Sequence, residues 1–335
     1  MRLATDARAL RYSGLFSKDT IDVVPSATVR GRTPWSLAYT ARDARPPARR
    51  CRSIWMRRLK PAAVVGFGGY LDRAAAAGGA AVSACPASST RPMRCSAAPT
   101  VSRRAASARS RPRCPACSIA IQQLAAKATT VGTPMRPAIL AAATVKFASH
   151  EPTGPLRLLV VGGSQGARVM ADIVPGAIER LETGAVEQIG AYPAGARRKT
   201  WRGCARSMTG SRSTPNWRRS SAICRQRLAS SHLVISRSGA GTVAELGAIG
   251  RPSILVPLPG AIDQDQFANA GVLTQANGAL RIVQADFTPD RLAAEISALA
   301  AEPARLTAMA GGARAVGRLD AADRLADLVM KVAGI

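Results

Sequence analysis

Leu156-Arg157-Leu158-Leu159-Val160-Val161-Gly162-Gly163-Ser164-Gln165-Gly166-Ala167 is an apolar run that ends in a glycine-rich turn. The run Leu156–Val161 suits a parallel strand buried on both faces. A helical pattern follows, from Val169 to Leu181. The same form recurs downstream. Leu233–Ser236 reads as a strand, Arg237–Gly241 as a loop, and Thr242 to about Ile249 as a helix. Ser253–Val256 is a further strand, Leu258–Gln266 a loop, Asn269–Ala276 a helix, Leu280–Val283 a strand and Pro289–Ala301 a helix. Strands alternating with helices through short loops predict a parallel α/β sheet.

The front half is less regular. Ile21–Val24 reads as a short strand. Ala62–Val65 reads as another, followed by the turn Gly66-Phe67-Gly68-Gly69-Tyr70. Val131–Arg136 reads as a strand end and turn, and residues 141–155 as an interdomain linker. A length of 335 residues suggests two domains. There is no uncharged apolar run of about 18 residues, so no membrane-spanning helix is indicated. The N-terminus lacks a secretory apolar region, which makes a cytosolic location the default.

Both glycine loops join a strand to a helix. In open α/β sheets ligands sit beyond the carboxyl ends of the strands. A helix N-terminus there offers free N–H groups to an anion. At Gly162–Gly166, Ser164 and Gln165 carry donors for ligand oxygens; a plain βα turn explains the same text. The second loop is Ser236-Arg237-Ser238-Gly239-Ala240-Gly241-Thr242-Val243-Ala244-Glu245. Its small residues would let a diphosphate reach the helix, and Glu245 could accept hydrogen bonds from both hydroxyls of a ribose. Thr242-x-x-Glu245 is also a capping box, which needs no ligand. The glycine and serine crowding ahead of it favours a nucleotide. Asp263-Gln264-Asp265-Gln266 with Asn269 suits sugar hydroxyls, or equally a solvated loop.

The net charge is +27. Taken alone this suggests a nucleic-acid or membrane partner. The excess is local. Residues 71–118 hold eight Arg and one Asp, and residues 191–227 hold ten Arg or Lys and no acid. Together they contribute +17 of the net +27 and hold six of the seven Cys. Aromatic residues do not interleave with the basic ones as a base-stacking platform requires. Neither stretch keeps a helical or strand period, and 71–118 reads by composition as a disordered linker. Cys114-Pro-Ala-Cys117 is a lone pair without the second pair a zinc site needs.

At these residues the sequence resembles the bacterial MurG family, the peptidoglycan glycosyltransferases that add N-acetylglucosamine to undecaprenyl-pyrophosphoryl-N-acetylmuramoyl-pentapeptide, converting lipid I to lipid II. The matching text is Leu158–Ala167, Leu233–Pro259, Asp263–Asn269, Gly66–Tyr70, Val131–Pro137 and roughly residues 5–40. The resemblance implies a GT-B fold, two Rossmann-like domains facing a cleft. Residues 1–150 would form the acceptor, membrane-side domain, and 151–335 the UDP-sugar domain. Carried over, Ser164, Gln165 and Gly166 would touch the diphosphate. Ser238, Gly239, Ala240 and Thr242 would line the phosphate site, and Glu245 would hold the ribose. Gln266 and Asn269 would hold the sugar, and Arg136 would lie near the nucleotide. The family implies no metal and no cofactor. Its partners are UDP-N-acetylglucosamine, lipid I and the anionic inner-membrane surface, not nucleic acid. Its place is the cytoplasmic face of the bacterial inner membrane, held peripherally.

Three departures stand out. The family's opening Gly-Gly-Thr-Gly-Gly-His loop, whose His is the proposed general base, has no counterpart, so the N-terminal domain reads as incomplete and the catalytic base is unassigned. Where the family has His-Glu-Ala-Asn-Ala-Val-Leu-Gly-Arg-Ala-Asn, this chain reads Thr90-Arg91-Pro92-Met93-Arg94-Cys95-Ser96-Ala97-Ala98-Pro99-Thr100. The family motif in GC-rich codons, read one base late, gives that text. A family-like Leu-Ala-Pro-Phe-Phe-Gly-Asp-Leu-Pro, read likewise, gives Trp217–Cys224. Residues 71–118 and 191–225 therefore read as out-of-frame segments, and 42–53 as a shorter third. Shifted GC-rich codons produce Arg, Pro, Ser, Ala and Cys, which accounts for the charge. The leading expectation is a lipid I N-acetylglucosaminyltransferase, inactive if the segments are lost to the fold. The alternative is a non-catalytic UDP-sugar-binding remnant.

Overall fold

The computed structural model describes residues 1–5, 10, 13–23, 59–66, 80–85, 94–99, 128–151, 154–162, 168–181, 186–192, 221–259 and 265–335. The chain forms two compact units. One takes Met1–Pro86, Arg94–Thr130 and Arg324–Ile335; the other takes Ala87–Met93 and Val131–Asp323. The sequence reading divides the chain at residue 150, and contacts divide it at Thr130.

In the first unit, β1 (Leu3–Thr5) pairs in parallel with β2 (Ile21–Val23). Arg2 Nε donates to Asp22 Oδ2 at 3.0 Å beside this pair. A second sheet has the order β3-β4-β5-β6, formed by Val64–Gly66, Ala80–Cys85, Arg94–Pro99 and Ala128–Thr130. β3 and β4 are parallel, whereas β4–β5 and β5–β6 are antiparallel. β4 and β5 thus lie inside 71–118, the stretch without period. Backbone pairing makes no demand on side-chain period unless one face is buried. Residues 42–53 and most of 191–225, and Cys114 and Cys117, lie outside the described residues.

The second unit is built on a parallel sheet of order β11-β10-β9-β7-β8. Its strands are β7 (Leu156–Val161), β8 (Val186–Tyr192), β9 (Leu233–Ser236), β10 (Ser253–Leu255) and β11 (Ala279–Arg281). β7 and β9 have the bounds read from sequence. Strand alternation sends successive side chains to opposite faces. Leu156, Leu158 and Val160 join Leu233, Ile235, Ile254 and Val256 on one face. That face packs against α2 (Arg168–Ile178) and α6 (Pro289–Ala301) through Met170, Val174, Leu292 and Ile296. Leu159, Val234 and Leu255 point to the other face. There they meet α1 (Pro137–Ala142), α3 (Ser221–Ser230), α4 (Ala240–Ile249) and α5 (Asp265–Gln275) through Ile139, Leu228, Leu246 and Leu273. Each fully buried Leu or Ile contributes about 2 kcal/mol, so the two faces hold the sheet from both sides.

The helices start for local reasons. At α6 the Thr288 hydroxyl accepts from Arg291 N at 3.2 Å, Pro289 opens the helix and Asp290 sits in its first turn. This is a standard N-terminal signal. Gly250 ends α4 with φ of 69°, a conformation glycine adopts without strain. Two further helices, α7 (Pro303–Val316) and α8 (Ala321–Ala333), follow where sequence reading assigned nothing.

Candidate functional site

The sheet order of the second unit reverses between β7 and β9: β8 lies on one side of β7, and β9, β10 and β11 on the other. Such a switch point leaves a crevice at the carboxyl ends of the two strands. Val161 and Ser236 are direct partners across β7 and β9, and Ser236 is in turn partnered with Leu255 of β10. The two glycine loops therefore leave adjacent strands at the same rung. Gly162 is buried at the start of the first loop. Ser164, Gln165 and Gly166 lie outside the described residues, as do Asp263 and Gln264.

The second loop ends at the N-terminus of α4. Gly239 is the cap, with φ −64° and ψ 145°, and it has no side chain with which to cap the helix. The first intrahelical bond runs from Val243 N to Gly239 O at 3.0 Å. The N–H groups of Ala240, Gly241 and Thr242 belong to the set that no helix can satisfy internally. This corrects the capping-box reading. The helix starts at Ala240, so Thr242 is its third residue, not its cap, and Glu245 its sixth. Gly239 has ordinary extended torsions that any residue adopts. A Cβ added at Gly239 or at Gly241 would meet nothing within 4 Å. Neither glycine is required by backbone conformation, or by packing against the described residues.

Helical side chains lean toward the N-terminus and cover the preceding turn. Glu245 accordingly overhangs the turn holding Gly241 and Thr242. Its Oε1 accepts from Arg136 Nη2 at 2.8 Å. Arg136 is 65% exposed and Glu245 24%, so this pair is worth no more than about 1 kcal/mol. Two candidates 109 residues apart in sequence are thus brought together.

Ser238, Gln266 and Asn269 are also brought together, as a support for the loop. The Ser238 hydroxyl donates to Gln266 O at 2.7 Å, and Asn269 Nδ2 donates to Ser238 O at 3.2 Å. Gln266 Oε1 accepts from Leu258 N at 3.0 Å. Ser238 and Asn269 are buried. These bonds fasten the loop before α4 to the first turns of α5, which starts at Asp265, four residues before the sequence reading placed it.

Arg237 has no assigned role in the sequence pattern. Its Nη1 donates to Val256 O at 3.1 Å and Pro257 O at 2.9 Å, and its Nη2 to Gln284 Oε1 at 2.6 Å. It links the loops that follow β9, β10 and β11. Burial lowers its pKa. An arginine between two serines at a strand end was the available signal. Ser236, fully buried at the end of β9, has a hydroxyl with no hydrogen-bond partner.

The histidines are at the other end of the sheet. His232 precedes β9, and its Nδ1 accepts from the backbone N–H of Arg157 at 3.0 Å. Burial, then the nearby charges of Arg157, His150 and Arg251, push its pKa down to about 4. His150 Nε2 bonds Ala300 O at 2.9 Å, and its ring lies 5.7 Å from that of His232. Both rings are buried and serve packing.

Comparison with known proteins gives three findings. Residues 157–325 match the family model for the glycosyltransferase family 28 C-terminal domain. The chain is 56% identical to a UDP-N-acetylglucosamine–N-acetylmuramyl-(pentapeptide) pyrophosphoryl-undecaprenol N-acetylglucosamine transferase of Rhodopseudomonas palustris (strain BisB5), over 100% of this chain and 91% of that protein. It is 57% identical to the protein of the same name from Nitrobacter hamburgensis, over 99% of this chain and 89% of that protein. Among solved structures it is similar to MurG of Acinetobacter baumannii, with TM-score 0.63 and 22% identity over 98% of this chain and 90% of that one. It is also similar to the calicheamicin glycosyltransferase CalG4, with TM-score 0.56 and 14% identity over 98% and 90%. The structural likenesses establish a GT-B fold.

Proposed function

Because this chain belongs to the MurG family of UDP-N-acetylglucosamine transferases, we propose that α4 and the loops around it receive the UDP-sugar whose N-acetylglucosamine is moved to undecaprenyl-pyrophosphoryl-N-acetylmuramoyl-pentapeptide. The diphosphate rests on the N–H groups of Ala240, Gly241 and Thr242. Glu245 accepts from the ribose hydroxyls, and Arg136 adds positive charge beside the diphosphate. Gln266 and Asn269 flank the sugar, and Ser238 holds that loop in place. Ser164, Gln165 and Gly166 approach the diphosphate from the β7 side. In the transfer, the acceptor hydroxyl attacks the anomeric carbon and the bond to the diphosphate oxygen breaks. UDP leaves with the negative charge, and the fixed N–H groups and dipole of α4 stabilise it. The hydroxyl proton goes to a base that neither His150 nor His232 supplies.

One observation carries this reading. The N-terminus of α4 has a glycine for its cap, and among the described residues nothing lies within 4 Å of a Cβ placed on Gly239 or Gly241. The lipid-linked acceptor puts the site of action at a membrane surface. We read the protein as peripheral on the cytoplasmic face of the inner membrane, against anionic lipid. Among the described residues no helix is long and apolar enough to cross a membrane.

Calorimetry with UDP-N-acetylglucosamine, alongside a lipid I transfer assay, tests the reading. Binding with transfer supports it in full. The buried positions of both histidines favour a second reading, a UDP-sugar-binding remnant without catalysis, and binding without transfer would select it. Glu245→Gln removes a charged acceptor and lowers UDP affinity about tenfold or more; unchanged affinity would remove Glu245 from the ribose site.

A further inference from the structure

Arg251 is a buried arginine whose hydrogen bonds all end on backbone carbonyls. It is 1% exposed. Its Nε and Nη2 donate to Ala229 O at 3.0 and 2.5 Å. Its Nη1 donates to Ile249 O at 3.2 Å and Gly250 O at 3.0 Å. Ala229 is near the C-terminus of α3, and Ile249 and Gly250 are at the C-terminus of α4. Helix C-termini carry orphan carbonyls and the negative end of the dipole. A guanidinium inserted between two of them is satisfied without a carboxylate.

One more bond leaves these helices. Arg251 Nη2 donates to Val145 O at 3.1 Å, and the guanidinium lies 5.5 Å above the Phe147 ring. Val145 and Phe147 belong to the stretch 141–155 that the sequence presents as a linker. The bond from His150 to Ala300 O fastens the same stretch a second time. Followed backwards, the stretch runs into α1, whose N-cap is Arg136. One continuous strap, residues 136–150, therefore meets α4 twice. Arg251 holds it at the C-terminus of α4, and Arg136 meets Glu245 in the middle of the helix.

The magnitudes say which end governs. α1 has six residues, too few to persist as a helix unsupported. The exposed Arg136–Glu245 pair contributes too little to fix the strap. A charge-assisted bond inside the protein and the packing of Ile139 and Ala142 are the stronger terms.

We propose that Arg251 is a positioning residue for the donor site, setting the place of Arg136 through the strap 136–150. This rests on the assignment of that site to a UDP-sugar. Arg251 touches no substrate; it acts at the opposite end of α4.

UDP binding to the full chain, measured by calorimetry for the wild type, Arg136→Met, Arg251→Lys and the double variant, tests the proposal. Arg136→Met is expected to weaken UDP about tenfold by loss of a charge-assisted contact. Arg251→Lys, which keeps the charge and loses the fork, is expected to weaken UDP by a similar factor of about ten and to add almost nothing in the Arg136→Met background. A merely structural role would lower the melting temperature but leave the two affinity losses additive, and that result overturns the proposal, as does undiminished UDP affinity in Arg251→Lys. Should Arg251→Lys fail to fold, His150→Ala loosens the strap from Ala300. It is expected to weaken UDP about threefold in the wild type and not at all beside Arg136→Met; equal weakening in both backgrounds overturns the proposal. A wild type that does not bind UDP sinks the donor-site reading itself, whereas binding with additive losses sinks only the strap.

Discussion

The amino and carboxyl ends of the β7–β11 sheet treat glycine in opposite ways. At the amino end glycine lets backbones meet. A Cβ on Gly312 of α7 would stand 2.0 Å from Ala276 O, one on Gly278 2.5 Å from Ala313 N, and one on Gly317 2.4 Å from Gly247 O. At the carboxyl end, Gly239 and Gly241 face open space. Polar groups do not divide so cleanly. Arg251, His232 and His150 find their partners inside the chain, and so do Arg237, Ser238 and Asn269 at the other end. Ser236 at the carboxyl end and Ser253 at the amino end are both buried hydroxyls without a hydrogen-bond partner among the described residues. The difference between the ends lies in the glycines, and the carboxyl end carries the proposed donor site. Glycine content marks both ends equally, and only the surroundings tell a packing glycine from a binding one.

The contrast can be attacked at either end. The largest effect is expected at Gly312. Gly312→Ala improves helix propensity by about 1 kcal/mol but drives a methyl into a carbonyl, a net loss of roughly 2–3 kcal/mol. A melting temperature equal to or above that of the wild type would break the distinction. Next comes Gly239→Ser. Serine is a better cap than glycine, so thermal stability holds or rises. The side chain then occupies the N–H groups proposed to receive the phosphate, and UDP affinity falls about tenfold, or 1.4 kcal/mol. Undiminished UDP binding would show that the open end is merely open. The smallest effect tests the closed end by pH. The pKa of His232 is lowered from 6.5 to about 4, so the unfolded chain takes up a proton where the folded one does not. Stability is full above pH 6.5 and is lost as pH falls toward 4. Between pH 7.5 and 6 the loss is about 1 kcal/mol. His232→Asn keeps an acceptor for Arg157 N and should flatten this slope in a chemical-denaturation series; an unchanged slope would assign it elsewhere.

Sequence reading reached the central strands more surely than the starts of the helices beside the site. β7, β9 and α6 have strong periodic or capping signals, and their bounds agree with the structure. The start of α4 was misjudged because its cap, Gly239, has no side chain to announce it, whereas Thr242 and Glu245 imitate a capping box. Asp265 and Gln266 read as loop because polar residues are equally at home in the first turn of a helix. α7 went unassigned because Gly311 and Gly312 disguise a helix interior. Residues 141–155 read as a linker because what anchors them, Arg251 and Ala300, is more than a hundred residues away. Glu245 entered as a ribose acceptor from its place one turn into the helix, and Arg136 by resemblance; only the fold pairs them. The roles of Ser164, Gln165 and Gly166 rest on the sequence alone, since all three lie outside the described residues.

The anchoring of α1 and His150 on the second unit has a practical consequence for dissecting the protein. An expression fragment beginning at residue 151, where composition suggests a boundary, would discard Ile139, Ala142 and Ala143 and expose the apolar surface they cover. It would also strip Arg136 from Glu245 and leave Arg251 without the Val145 carbonyl. A fragment beginning at Val131 carries its own cover. For a nucleotide-binding piece cut from this chain, the twenty residues 131–150, half of which read as tether, belong to the module.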